Sequence, residues 1–462
     1  MREQYVIAIL VLSCFGPYLM PLVRLEQLVL YGGVVALTPW LFLTGRKIFD
    51  NTRIARMCII FVLFIIWSTI SAILHGESIF EYGYLASLES YLQPVAVMIF
   101  GAALLRNAAG AHLISVLKVV ISMMCVGALF NSMVALYHVL FGVPWFIDYF
   151  LPARSALSET NVWDRSVGTG RIIGTFASPF EAGIVYGSAL IGATYLYYGG
   201  ALRALVYVPV FLVICFGGML TVSKAFFVGL VLAGFYHLRH GKVLSVRWAI
   251  ASGFALAGFL VFFAGVSEVQ WKGLERFDRY FKMGDGGSAV VLYTAGRYGS
   301  EDGTITSRVQ SLLDQSPVIG YGMQYVDIFD SGFLQPLMFG GLVGLALYCG
   351  IFVELFRSSS RRVIDRRLAS YMRILVIYAL IASAGAPVLT LNKFAVMFWL
   401  QFSVLALLAV RRRKEGTEAL EARELLRAKS YSRAERSALS RSGLARRADA
   451  AGLEVRRTSG SF

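Results

Sequence analysis

The stretch TSRVQSLLDQSPVIGYGMQYVDIFDSGFLQPLMFGGLVG, residues 306–344, closes the longest polar interval between apolar runs in this sequence, which begins near residue 266. Almost everything before this interval is apolar enough to fill a bilayer with helices. Functional residues concentrate on loops that a rigid scaffold positions. The sequence therefore predicts a bundle of membrane helices whose chemistry lies on the side that carries this loop.

The composition places most of the chain in a membrane. Of its 462 residues, 57% are hydrophobic and only 15% are charged, and the mean hydropathy is +0.66. Soluble domains have a lower apolar share, so the bilayer is the solvent for most of this chain. Residues 1–20 are apolar like a signal peptide, but no small-residue cleavage site precedes a soluble domain, so they are predicted to form the first span.

Apolar runs long enough to cross a hydrocarbon core of about 30 Å recur along the chain. Only helices satisfy every backbone polar group of such segments in lipid, so the predicted fold is all-α and polytopic, with one large helical loop at 266–331. The predicted spans, about twelve in number, are 5–23, 27–44, 57–75, 89–105, 112–141, 178–198, 204–221, 223–238, 248–265, 332–356, 370–389 and 394–410.

The charge of the connections sets the orientation. Cationic connections are expected in the cytoplasm, and here they are 45–56, Arg106, Arg203, 239–247 and 357–367. Both termini are then cytoplasmic, whereas the loops at 142–177 and 266–331 and the turn at 221–224 lie outside. The predicted domains are a transmembrane domain over 1–410, which includes the large loop, and a basic cytoplasmic tail over 411–462.

Several classes of partner and cofactor are not expected. The tail holds fourteen Lys and Arg against seven Asp and Glu, which is about half of the net charge of +15, so that charge gives no reason to expect nucleic acid. All five cysteines lie in apolar runs, so no disulfide framework is implied. The five histidines show no ligand spacing and avoid the large loop, so no metal is expected.

Cations in the outer connections are the first candidate binding groups. Arginine binds phosphate oxygens with two parallel hydrogen bonds and keeps its charge, so such a cluster near the bilayer surface suits a diphosphate-linked lipid. Lipid headgroups and loop carboxylates are the alternative partners of these side chains. Arg171 and Lys224 both lie beside predicted helix starts, and Lys224 either snorkels to the headgroups or faces a cavity.

Acidic residues near the spans are the second group of candidates. Ser178-Pro179-Phe180-Glu181 has the form of a capping box, in which Glu181 bonds to the Ser178 amide, although a carboxylate so close to a span is also a candidate for catalysis or substrate contact. In the large loop, Arg308 lies in the first turn of a short helix that ends before Pro317. Asp330 and Ser331 either cap the next span or carry function.

Several of these motifs, in their order and spacing, resemble the O-antigen ligase and Wzy-type polysaccharide polymerase superfamily. They are Arg308, Pro317-x-x-Gly320-x-Gly322, Asp330-Ser331, Gly340-Gly341-x-x-Gly344, RIIGTFASPFEAG (171–183) and Ser223-Lys224. The resemblance covers roughly residues 165–350 and the overall topology. Ligases of this group carry a histidine near the start of the span after the large loop, where this chain has Asp330, so the polymerase branch is preferred.

The resemblance implies a GT-C-like helical fold in a bacterial inner membrane, with the active face in the periplasm. It also implies a metal-independent, inverting glycosyl transfer without a cofactor. Both the donor and the acceptor would be glycans linked to undecaprenyl diphosphate. Whether a chain-length regulator protein docks on the chain stays open.

Each candidate residue then has an expected role. The developing charge on the diphosphate leaving group is assigned to Arg171, Arg308, Lys224 and Arg297. The proton of the attacking hydroxyl is assigned to Asp330, with Asp327 and Glu181 as the other candidates. Tyr321 and Tyr325 are expected to line the sugar path. The competing classes are a ligase that transfers glycan to lipid A-core and a transporter or flippase, which should show broken helices and charges near the midplane.

Overall fold

The computed structural model describes residues 2–16, 19, 23–43, 52–147, 149, 166–240, 304–323, 331–360 and 365–412, and of these it gives only the backbone for 40–43, 304–306 and 308. In this part of the chain the regular secondary structure is helical. The chain divides into one compact unit over Met1–Ala409 and another over Val410–Phe462. Almost all of the described residues belong to the first unit.

The helices are numbered here in chain order. They are α1 (Arg2–Ser13), α2 (Leu25–Leu43), α3 (Thr52–Leu74), α4 (Tyr82–Leu105), α5 (Gly110–Phe141), α6 (Pro179–Tyr198), α7 (Ala204–Leu220), α8 (Lys224–His240), α9 (Thr304–Gln315), α10 (Leu334–Ser358), α11 (Arg366–Ala382) and α12 (Asn392–Arg412). A 3-10 turn at Val388–Thr390 lies between α11 and α12.

Five helices in the described part of the chain, namely α3, α4, α5, α10 and α12, are long and apolar enough to cross a membrane. The shorter helix α7 and the 25–39 part of α2 are also apolar. The chain is therefore a helical membrane protein, as predicted at this level. The count of about twelve spans stays a prediction, and the predicted span 248–265 and most of the loop at 266–331 lie outside the described residues.

Several helices begin or end away from the predicted boundaries. Helix α1 has only 12 residues, a length of about 18 Å, and ends at Ser13, shortly before Gly16 and Pro17, because the residue before a proline resists helical geometry. Helix α4 begins at Tyr82, seven residues before the predicted start of the span at Glu89. The carboxylate of Glu89 therefore lies two turns inside the helix.

The core is formed around two helices. Helix α6 is buried almost along its whole length, from Pro179 to Leu196, by α5, α7, α8 and α11. In helix α12, 89% of the apolar stretch is buried. This helix places Trp399 among the rings of Phe61, Phe398 and Phe402. The name "site end" is used below for the end of this bundle at which α6, α8 and α12 begin.

Candidate functional site at the start of helices α6, α8 and α12

The start of α6 is a capping box. The Ser178 hydroxyl oxygen accepts a hydrogen bond of 3.1 Å from the Glu181 amide, and Pro179 occupies the first turn, as predicted. The return bond differs from the prediction, because Glu181 Oε2 accepts from the Ala177 amide at 3.2 Å and not from Ser178. Glu181 Oε1 accepts from the backbone amide of Lys393 at 3.3 Å. The buried carboxylate thus joins the starts of α6 and α12, and its catalytic role stays a prediction.

The segment that carries Arg171 is fixed by hydrogen bonds to two helices. The Ile172 amide donates to the carbonyl oxygen of Leu220 at the end of α7, at 3.0 Å. The Thr175 amide donates to Asn131 Oδ1 on α5, at 2.8 Å. Gly174 has a φ of +60°, and a Cβ there would meet the Asn131 side chain, so the segment follows a path that suits glycine. The half-buried Arg171 side chain therefore starts from a rigid backbone.

The turn between α7 and α8 is strained. Val222 has a φ of +46° and is buried. A β-branched residue in this region of φ/ψ space is an outlier that costs about 1–3 kcal/mol. The turn brings the chain back within three residues, so that α8 begins on the half-buried Lys224. Leu220, which directly precedes this turn, accepts the hydrogen bond from the Ile172 amide. The Arg171 segment and the start of α8 therefore lie next to each other.

Helices α6 and α8 run parallel at close distance. A Cβ on Gly183 would lie 2.4 Å from Ser223 Oγ, and a Cβ on Gly229 would lie 2.5 Å from Gly187 Cα. Near the other ends of the two helices, Tyr198 Oη lies 2.8 Å from His237 Nδ1. The two helices therefore run in the same direction. Small residues allow such close contact of membrane helices.

Parallel helices place two positive dipole ends side by side. At the site end, α6 has Glu181 in its first turn, whereas α8 has no acidic residue in its first turn and begins with Lys224. A cation at a helix N-terminus is unfavourable, whereas an anion there is stabilised. The start of α8 and the adjacent Arg171 segment therefore form a positive site that is suited to an anion.

Tyr378 of α11 holds this helix pair together. Its buried hydroxyl contacts the carbonyl oxygen of Ala225 at 2.9 Å and that of Gly183 at 3.3 Å. We expect Tyr378→Phe to lower the free energy of unfolding by about 1 kcal/mol, because a buried hydrogen bond is lost. Thermal unfolding of the purified protein in detergent measures this change. The control is Tyr137→Phe, whose ring is 47% exposed on α5, and equal stability of the two variants would contradict the prediction.

The 317–322 segment, which carries the Pro317-x-x-Gly320-x-Gly322 motif, inserts into a broken helix. Helix α10 is interrupted at Gly341, which has φ +59° and ψ −153°. The freed backbone groups pair with the 317–322 segment: the Tyr321 amide donates to Met338 O at 2.7 Å, and the Leu342 amide donates to Pro317 O at 2.9 Å. The Trp67 indole of α3 donates to Gly340 O at 2.9 Å. Non-helical backbone inside a membrane helix is thus satisfied by protein.

Tyr321 lies at the edge of this insertion, next to α9. Its hydroxyl donates to Gln315 Oε1 at 3.2 Å and lies 3.2 Å from Ser311 Oγ on α9. Its ring contacts His75, which follows α3, with centroids 5.7 Å apart. The fold thus brings a histidine next to a segment that has none of its own. The preference for a polymerase over a ligase stays a prediction. It was based on the sequence around the large loop, from which the neighbouring His75 cannot be seen.

The starts of α6 and α10 are held by the same turn. The Gly332 amide donates to Ser383 O at 2.7 Å, and a Cβ on Gly385 would lie 3.0 Å from the ring of Phe180. The Ser331 hydroxyl accepts from the Leu334 amide at 3.3 Å, which agrees with capping, one of the two roles considered for Asp330 and Ser331. The motif 171–183 at the start of α6 and the residues at the start of α10 therefore lie on opposite sides of the turn at 383–387.

The predicted site residues divide into two groups. The structure brings the segments of Arg171, Lys224 and Glu181 together at the site end and places Tyr321 against α3, α9 and α10. Arg308 lies in the first turns of the amphipathic helix α9, whose Leu312 packs on Met338, and only its backbone is described. Four candidates lie outside the described residues: Arg297, Tyr325, Asp327 and Asp330. Their roles stay predictions.

Buried charges at the site end were missed by the sequence analysis. Lys393 and Glu26 are fully buried, and Arg24 is 4% exposed. Arg24 Nη2 binds both oxygens of Glu89 at 3.0 and 3.1 Å, and its Nε lies 3.4 Å from Glu26 Oε1. The available signal was Lys393 itself, a lone cation between the predicted spans 370–389 and 394–410. Within the described ranges, no group of three or more His, Cys, Asp and Glu side chains is placed to bind a metal ion.

The chain matches no protein-family model and none of the curated proteins.

Proposed function

We propose that this protein is a glycosyltransferase of the bacterial inner membrane that polymerises undecaprenyl-diphosphate-linked oligosaccharide repeat units at the periplasmic face. The products would be O-antigen, capsule or exopolysaccharide chains. The observation that carries the proposal is the positive site at the adjacent starts of α6 and α8, next to the Arg171 segment. The resemblance of the sequence motifs to the ligase and polymerase superfamily supplies the class of reaction.

The electrostatics of this site match the leaving group of such a transfer. As the bond between the anomeric carbon and the diphosphate oxygen breaks, the electron pair leaves with the diphosphate, and negative charge develops there. Positive groups that are already oriented stabilise this charge more than that of the ground state. Arg171, Lys224 and the α8 N-terminus act at this oxygen, and Arg308 and Arg297 are assigned to the same charge.

The attacking group is a hydroxyl of the second lipid-linked unit. Its oxygen forms the new bond to the anomeric carbon, and its proton passes to a carboxylate within hydrogen-bond distance. Asp330 is the proposed acceptor. Glu181 is less suited, since both of its oxygens already accept backbone hydrogen bonds. Asp327 stays the second candidate.

A second candidate function is a polysaccharide transporter or flippase. The interruption of α10 at Gly341 favours it, because transporters commonly bind substrates at broken helices. The groups around the interruption are backbone amides, Ser71 and Trp67, and none of these is charged. Buried charged residues, namely Arg24, Glu26, Glu181 and Lys393, lie instead at the site end, and a group-transfer reaction needs such charges at its site.

Reconstitution of the purified protein with lipid-linked repeat units in proteoliposomes distinguishes these functions. A polymerase lengthens the glycan on the lipid without further components. A ligase acts only when lipid A-core is added, and a flippase moves the repeat unit across the membrane at constant length. Failure to lengthen any lipid-linked glycan, together with translocation, would overturn the proposal in favour of transport.

The role of Asp330 gives a separate test. We expect Asp330→Asn to bind the lipid-linked donor with wild-type affinity but to lose about 10²–10⁴-fold in turnover, because the amide cannot accept the proton. Single-turnover elongation and a donor-binding assay, run on the same preparation, measure the two properties. Full turnover in this variant would leave Asp330 with a capping role next to Ser331.

A further inference from the structure

Lys393 is a fully buried lysine at the start of α12. Its Nζ donates to the carbonyl oxygen of Gly16 at 2.8 Å and to that of Thr175 at 3.0 Å, and it lies 5.3 Å from the centroid of the Phe176 ring. Burial of an ammonium group is costly, and a helix N-terminus is an unfavourable place for a cation. Its surroundings therefore have to offset both costs.

Carboxylates near Lys393 provide part of this stabilisation. Glu26 and Glu181 are both buried at the site end, and the carboxylate of Glu26 interacts electrostatically with Lys393. Glu181 also accepts the Lys393 backbone amide at 3.3 Å. The ammonium group thus completes a buried polar junction that joins α12, the end of α1 and the segment before α6.

Lys393 contacts two residues of one short stretch of chain, residues 171–181. Its Nζ holds the Thr175 carbonyl, four residues after Arg171, and its amide holds the side chain of Glu181 in the first turn of α6. On the other side, the backbone amide and the hydroxyl group of Thr175 both donate to Asn131 Oδ1 on α5. The stretch from Arg171 to α6 is therefore fixed between α5 and α12.

We propose that Lys393 is a positioning residue for the anion site. It holds the 171–181 stretch so that Arg171 and the helix starts face one bound diphosphate group. This inference rests on the proposed function and deepens it, because it assigns the rigidity of the site to a residue that does not touch the ligand.

The test compares two variants that each remove one buried cation. Lys393→Met removes the contacts to Gly16 and Thr175, whereas Arg24→Met removes contacts to Glu26 and Glu89 on α2 and α4. The probe is geranylgeranyl diphosphate, and its dissociation constant is measured by calorimetry on the full-length protein in detergent. We expect Lys393→Met to bind about tenfold or more weakly, since small displacements of positioning groups have large effects. Arg24→Met should bind the diphosphate with wild-type affinity, even if its melting temperature falls as far as that of Lys393→Met.

Lys393→Arg keeps the test informative if Lys393→Met does not fold. It retains the buried charge, but its larger planar group cannot reproduce the geometry of an ammonium between two carbonyl groups. We expect its affinity to lie between those of the wild type and Lys393→Met. Wild-type affinity in either folded Lys393 variant, or an equal loss in Arg24→Met, would overturn the inference alone. A wild-type protein that binds no diphosphate would overturn the proposed function, and the inference with it.

Discussion

Arg171→Ala is expected to abolish chain elongation, with turnover about 10²–10³-fold lower and with a normal amount of folded protein in the membrane. The size of this effect is that of removing one preorganised group that stabilises developing charge. Arg171→Lys keeps the charge but loses the planar fork, so it should recover only part of the activity. Arg308→Ala should cause the same loss as Arg171→Ala. The measurement is the length distribution of polymer in cells and in proteoliposomes.

Arg203→Ala is the matched control for Arg171→Ala. Arg203 is an exposed arginine that directly precedes α7, at the opposite end of the bundle from the anion site. Its removal changes the net charge of the protein by the same amount but does not affect the site end. Polymer of wild-type length in Arg171→Ala, or an equal loss in Arg203→Ala, would contradict the assignment of Arg171 to the diphosphate.

Gly341→Ala is expected to have the largest effect on stability. A Cβ at this position would lie 2.4 Å from the backbone carbonyl carbon and oxygen of Val318, and the φ of +59° is unfavourable for alanine. Strain of about 1–3 kcal/mol for the backbone and a similar amount for the overlap both act on the folded state. We expect a loss of about 3 kcal/mol or more, visible as a lower melting temperature in detergent.

Gly350→Ala provides the control in the same helix. Gly350 lies in the regular part of α10, and a Cβ there would have no neighbour within 4 Å. Alanine favours the helix over glycine by about 1 kcal/mol, so this variant should melt at the wild-type temperature or slightly above it. If Gly341→Ala melts as Gly350→Ala does, the insertion of the 317–322 segment into α10 is not a source of stability.

Features that depend on neighbouring residues could be predicted from the sequence. The start of α6 at Ser178-Pro179 follows from capping chemistry within four residues, and the structure shows it. The tight turn before Lys224 was also visible as a lack of polar residues between two apolar runs. Its strain at Val222 was not visible, because a buried β-branched residue gives no sequence signal for a positive φ.

Features that depend on distant contacts could not be predicted. The Gly320-x-Gly322 motif was visible in the sequence, but its partner is the interruption of α10 at Gly341, which lies outside the motif. The role of Lys393 could not be predicted beyond its being a lone cation in a connection, because its acceptors, Gly16 and Thr175, are more than two hundred positions away in sequence. Hydropathy also placed Glu89 at the edge of a span, although α4 begins earlier.

The interruption of α10 has a consequence for the biogenesis of the protein. Gly341 lies seven residues after Leu334, so the unpaired amides and carbonyls of this helix lie about 10 Å from its start. Each such group left in hydrocarbon costs several kcal/mol. The interrupted form of helix α10 therefore cannot exist in lipid by itself. It requires the 317–322 segment, which is synthesised just before it, so the break forms only when the two segments are together in the membrane.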